Sequence, residues 1–138
     1  MGQIVVGLDG SEHSIGALRW AVEEARLRNA SVLALCAWEF PHNLNPVVMF
    51  TTQPEPFRDE AHAVFERAIA AVDPGPVEVV EEIIEGAAAL RLAEASVNAD
   101  LVVVGSRGRG GFAGLLLGSV SQYLAVHARC PLLIHHEH

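Results

Sequence analysis

The chain of 138 residues contains no lysine; all nine basic residues other than histidine are arginine. That absence removes the phosphate-clamping lysine of P-loop hydrolases, Schiff-base chemistry, and the lysine on which phosphoacceptor receiver domains depend. Cysteine is nearly as scarce. Cys36 and Cys130 are too far apart for a disulfide framework or a zinc knuckle, and both sit in apolar stretches, as small buried hydrophobes of a reducing compartment do. No apolar run reaches the ~18 residues a membrane span requires. The opening Met1-Gly2-Gln3-Ile4 has no basic n-region, so no export signal is evident and a cytoplasmic location is expected. It resembles a myristoylation start only until Val6, where Ser or Thr is needed. A basic excess is missing too: the formal net charge is −8, which argues against general nucleic-acid binding. The most informative absence is local. Residues 101–136 contain no Asp or Glu, yet Arg107, Arg109 and Arg129 all fall there. An acidic chain has kept carboxylates out of one stretch, which suits a place where an anion sits.

What is present describes a well-cored globular protein, 51% hydrophobic and 19% charged. At this length residues 1–138 read as one domain that buries roughly two-thirds of its unfolded surface. The β-branched run 3–8 is a first strand, closed by Asp9-Gly10-Ser11. Ile15, Leu18, Ala21, Val22 and Ala25 recur in steps of three and four, predicting an amphipathic helix over 14–28. The continuous apolar run 31–38 is a strand buried on both faces, which points to parallel βαβ construction. Residues 39–55, with Pro41, Pro46 and Pro54, read as a long loop. Phe57, Ala61, Val64, Phe65, Ala68 and Val72 stripe a second helix. Residues 77–84 mix glutamates with valines and isoleucines, as an edge strand with one wet face does. A third helix is expected from Gly86 with Leu90, Ala93 and Val97 inward, then a strand over 101–105, a helix over 119–128 and a strand over 130–134. The alternation predicts a three-layer, doubly wound α/β sandwich. Such sheets bind ligands at the carboxyl ends of their strands, where the winding reverses.

The richest segment is Gly105-Ser106-Arg107-Gly108-Arg109-Gly110-Gly111, followed by Gly118-Ser119. A glycine-rich turn between a buried strand and a helix exposes consecutive N–H groups, and the helix start adds donors at the positive end of its dipole; together they suit phosphate. Four glycines in seven residues indicate positive φ angles and close ligand approach. If the first and fourth strands are neighbours, the turn holding Asp9 and Gly10 faces this loop across one crevice. Arg107 and Arg109 are then the candidates for charge-assisted phosphate contacts.

Nearly the whole chain resembles the universal stress protein family, in its ATP-binding branch. The resemblance rests on Ile4-Val5-Val6-Gly7-Leu8-Asp9-Gly10-Ser11, on 100–108, on Gly105-x2-Gly108-x9-Gly118-Ser119, and on Cys130-Pro131-Leu132-Leu133-Ile134. It implies a five-stranded parallel sheet of order 3-2-1-4-5, of the adenine nucleotide alpha hydrolase-like kind, with ATP between the first and fourth strands and dimers formed through the last. It further implies that Asp9 contacts the adenosine and that the backbone of Ala37 contacts adenine. Gly105, Arg107 and Gly108 would hold ribose and phosphate, and Gly118, Ser119, Val120 and Ser121 the outer phosphates.

Each residue has a structural alternative. Asp9 could close an Asx turn. Ser119-Val120-Ser121-Gln122 could be a capping box, and Arg129 a cation at a helix end. The tail 135–138 reads as frayed rather than as a metal cluster. With no lysine clamp, no Walker B acid beside the loop and no nucleophile–base pair, the reading is an ATP-binding regulatory protein without efficient catalysis, with magnesium bridged by phosphate near Ser119 or Ser121. ADP or cyclic AMP are alternative ligands, and a nucleotide-free interaction module is an alternative function. Gly108-x-Gly110-x-x-Ala113 formally fits a dinucleotide fingerprint, but it follows the fourth strand and lacks the later ribose acid. A last strand left as a bare apolar edge is expected to pair with its two-fold mate in a homodimer.

Overall fold

The computed structural model describes residues 2–40, 45–108 and 117–137. Five strands, β1 Gln3–Gly7, β2 Ser31–Trp38, β3 Val79–Glu85, β4 Leu101–Gly105 and β5 Leu132–His135, form one sheet of order β3-β2-β1-β4-β5. Every neighbouring pair is parallel. Strand alternation divides the core. Ile4, Val6, Val32, Ala34, Cys36, Leu101 and Val103 face one side, where they pack on Ala17, Leu18 and Ala21 of helix α1 (Glu12–Arg28) and on Ala61, Val64 and Ala68 of α3 (Glu55–Val72). Val5, Leu35, Val102 and Val104 face the other, against Leu92 of α4 (Ala88–Ala95) and Leu124 of α5 (Ser119–His127). The chain winds outward from β1 on one face and from β4 on the other, so the reversal lies between these two strands.

Local chemistry sets the element ends. Ser11 caps α1 by accepting the Ser14 N–H at 3.1 Å, and Asn29 ends it in the left-handed conformation, φ 56°, which asparagine tolerates better than most residues. Within the segment expected to be a loop, Asn45 Oδ1 accepts the Val48 N–H at 2.9 Å and Pro46 opens the short helix α2 (Pro46–Thr51). Pro46, counted above toward a loop, is here a first-turn proline behind the N-cap Asn45. None of the residues of α2 is buried.

The third helix also departs from expectation. It starts at Ala88, after Gly86 at φ 135°, and its buried residue is Leu92, 2% exposed. Leu90 and Val97, expected inward, are 49% and 63% exposed, and Val97 lies in a 3₁₀ turn, Ser96–Asn98. Residues 135–137 of the tail pack back on the domain. The His135 carbonyl accepts the Ser106 N–H at 2.9 Å, and Glu137 and His135 occupy the space where any side chain at Gly16 would go.

On the edge strand β3, Glu81 shares the helix-facing side with Val79 and Ile83. His62 of α3 covers it through Nδ1, while its Nε2 lies 2.9 Å from Glu66. The hydrogen bond to Glu81 is the main cause of a raised His62 pKa. A raised folded-state value means that this tie stabilises the fold below the ordinary histidine value of 6.5 and fades as pH climbs through the higher folded value. The melting-temperature difference between wild type and His62→Gln, followed across pH, should therefore be largest at acid pH and shrink toward alkaline pH. A difference that grows with pH would contradict this assignment.

Candidate functional site

A cavity of about 250 Å³ opens at the carboxyl ends of β1 and β4, where the winding reverses. Its apolar floor is Leu35, Leu92, Val104 and Val120, the buried Ser14 also lines it, and its rim carries Asp9, Arg107, Gly108, Gly118 and Ser119. A second recess of about 330 Å³ adjoins it toward α3, lined by Ala37, Trp38, Glu39, Phe57 and Glu60. Leu8 and Asp9 border both. Of the residues singled out from sequence, the first cavity gathers Asp9, Gly105, Arg107, Gly108, Gly118, Ser119, Val120 and Ser121. Ala37 lines the second recess, whereas Gly10 and Ser106 line neither. Arg109, Gly110, Gly111 and Ala113 lie outside the described residues.

Asp9 is held by a dense knot. Its Oδ1 accepts from the Ser11 N–H at 2.9 Å and from the Ser11 hydroxyl at 2.6 Å, so the Asx turn forms. The Asp9 N–H donates to Ser14 Oγ at 3.3 Å, and that hydroxyl donates to the Ser11 carbonyl at 2.9 Å. Gly10, at φ 88°, is the left-handed residue that closes the turn. Its requirement for glycine is conformational. The other Asp9 oxygen faces the loop, 2.5 Å from where a side chain at Gly108 would begin.

Gly105, Gly108 and Gly118 are explained by proximity. Neither Gly105 nor Gly108 has a positive φ, contrary to expectation. A Cβ on Gly105 would stand 2.6 Å from the His13 Cβ and 2.7 Å from its carbonyl carbon. One on Gly118 would stand 3.3 Å from the Arg107 Cα. The crowding comes from the protein's own chain, which lets β4, α1 and α5 converge on one point.

Helix α5 opens toward the cavity. Its N-cap is Gly118, with no side-chain cap, so the expected Ser119–Gln122 capping box does not form. Gln122 is one residue too far along, and its amide donates instead to the Leu117 carbonyl at 2.8 Å. The Gly118 N–H donates to the Ser106 carbonyl at 2.7 Å. Among the described residues nothing accepts the N–H groups of Ser119, Val120 or Ser121, the orphan donors that every helix start leaves. Ser119 is exposed at the rim. Ser121 is buried, and its hydroxyl donates to the Gly105 carbonyl at 2.8 Å. Arg107 makes no ion pair among the described residues.

Ser106 approaches His13, Oγ to Nδ1 3.4 Å. At 2% exposure and outside both linings, Ser106 is sealed from any substrate. Cys36 lines the second recess, but burial, with Glu81 nearby, pushes its thiol up to about 12, which keeps it protonated and unreactive. Among the described residues no cluster of His, Cys, Asp or Glu is placed to hold a metal ion, and no helix is long and apolar enough to cross a membrane. Sequence reasoning missed Ser14, Ala88 and the floor residues Leu35, Leu92 and Val104. Their signal was available in part, because strand alternation puts Leu35 and Val104 on the face opposite α1.

A family model described as the universal stress protein family matches residues 1–136. Universal stress protein Rv2623 of Mycobacterium tuberculosis is 35% identical over an aligned length of 141, covering 97% of this chain and 45% of that protein. The chain thus spans about half the length of the curated relatives it matches. Among solved structures, UspA from Lactobacillus plantarum shares the fold at TM-score 0.85 and 20% identity, with 97% of each chain covered. A universal stress protein crystallised in complex with cAMP matches at TM-score 0.75 and 28% identity, covering 98% of this chain and 97% of that one.

Proposed function

The chain belongs to the universal stress protein family, and on that premise we propose that residues 1–138 act as one ATP-binding regulatory unit without efficient catalysis. The observation that carries this reading is the open start of α5, where, among the described residues, three N–H groups meet no acceptor and Arg107 makes no ion pair beside a cavity at the sheet's winding reversal. An anion is favoured there by both the orphan donors and the helix dipole. The sugar and base would lie toward Asp9 and the second recess, whose lining includes Ala37 of β2 and the aromatic Trp38 and Phe57. Regulation without turnover is supported by the absence of lysine, by the burial of Ser106 and by the raised pKa of the Cys36 thiol. A magnesium ion would be held by the phosphates with Ser119, since the Ser121 hydroxyl is committed to Gly105. The free cysteines fit the cytoplasmic setting proposed with this function.

Cyclic AMP is the second reading, favoured by the relative crystallised with it. β5 is an edge strand, and we propose that it pairs with its counterpart in a homodimer. Mass spectrometry of nucleotides released from purified protein, followed by calorimetric titration of ATP, ADP and cAMP, tests the ligand; light scattering on the same samples tests the dimer. Arg107→Ala should weaken ATP binding about tenfold or more, the worth of a hydrogen bond to a charged group. A wild-type protein that binds none of the three nucleotides would sink the proposal.

A further inference from the structure

We infer that Ser121 is a positioning residue that removes negative charge density from the mouth of the anion site, and that its side chain is not a phosphate ligand. The inference rests on the nucleotide reading above and deepens it.

The end of β4 presents a difficulty for any anion. Gly105 lines the cavity with Arg107 and Gly108, and Ser106 lies between them outside its lining; a carbonyl of either left unpaired within reach of phosphate repels it. Both carbonyls are occupied. The Ser121 hydroxyl donates to the Gly105 carbonyl at 2.8 Å and also approaches the Ser106 carbonyl at 3.4 Å. The Ser106 carbonyl is further taken by the Gly118 N–H at 2.7 Å. Ser121 is 1% exposed, so its hydroxyl is shielded from water. The same residue contributes one of the three unaccepted N–H groups at the start of α5. A single serine thus points its main-chain donor into the cradle while its side chain neutralises an acceptor there.

The arrangement is fixed from the other sides as well. Gly105 is pressed against His13, and the Ser106 N–H is held by the His135 carbonyl at 2.9 Å. The carbonyls therefore cannot rotate away if the hydroxyl is lost. Removing it leaves the Gly105 acceptor without its donor within the anion's electrostatic reach, and the penalty scales with the charge of the ligand. A purely architectural role gives a different signature, weakening every ligand alike.

The test is a charge ladder. Adenosine, AMP, ADP and ATP are titrated into wild type, Ser121→Ala and Ser121→Thr, with circular dichroism confirming that each is folded. In Ser121→Ala adenosine affinity should stay within about twofold, while ATP affinity falls about tenfold, with AMP and ADP between. Threonine keeps the hydroxyl and should restore the wild-type ladder. Equal losses for adenosine and ATP, or an alanine variant whose ladder parallels wild type, overturn the inference and leave the nucleotide reading standing. Failure of Ser121→Ala to fold, combined with a Ser121→Thr ladder that differs in slope from wild type, overturns it as well; a matching threonine ladder in that case supports it. A wild-type protein that binds no member of the ladder overturns both.

Discussion

Leu92→Ala is expected to lower the unfolding free energy by about 2–5 kcal/mol, while Leu90→Ala, two residues away on the same helix, changes it by no more than about 0.5 kcal/mol. Leu92 is fully enclosed between Val5, Leu35, Val102 and Val104 of the sheet and Leu124 of α5, so truncation leaves a void that the strands cannot close. Leu90 stands about half in water. Urea titrations of the two variants measure the difference directly. Comparable losses would mean that α4 is rotated from the position described. Leu92 also floors the first cavity, so its alanine variant should lose ligand affinity beyond what the stability change alone causes.

The second large effect is expected at Gly105. A methyl group there meets the Cβ, carbonyl carbon and carbonyl oxygen of His13 at 2.6, 2.7 and 2.9 Å. Two of those atoms are backbone, so relief requires the first turn of α1 to move. Overpacking of this kind costs about 1–3 kcal/mol. The displacement would pass to Ser14 and from there to the Asp9 N–H that it accepts, so nucleotide affinity should fall together with stability. Gly7→Ala is the matched control. Its Cβ meets the tip of Leu92, Cδ1 at 2.8 Å, and a flexible side chain can yield. If urea denaturation shows Gly105→Ala no less stable than Gly7→Ala, the tight approach of β4 to α1 is wrong.

The fold was largely legible where composition contrasts sharply with its surroundings. Leu101-Val102-Val103-Val104 and Ile4-Val5-Val6 are continuous apolar runs between polar turns, and a strand buried on both faces leaves that trace. The strand order came from the family resemblance, which the sheet bears out. The third helix was misread because it is short and alanine-rich. Ala87, Ala88, Ala89, Ala93 and Ala95 look alike to a pattern of three and four, so the phase rested on Leu90 and Val97 alone. Gly86, at φ 135°, sets the angle at which the helix leaves β3, and a backbone torsion has no sequence periodicity. The capping box failed through a one-residue register difference that only the Gly118 bond to Ser106 decides. Glycines at 105 and 108 were recognised as special, but for a reason that belongs to their neighbours. His13 and Asp9 lie about a hundred positions earlier in the chain, and their crowding is invisible until the sheet closes.

Leu8 and Asp9 stand as a party wall between two chambers. A molecule long enough to lean on both sides meets a partition whose opposite faces belong to the same pair of residues. Its two halves are then anchored to one post, and cutting it into separate fragments forfeits the advantage of the tether. Alterations to Phe57 reach one chamber and alterations to Leu92 the other, whereas any change at Leu8 is felt in both.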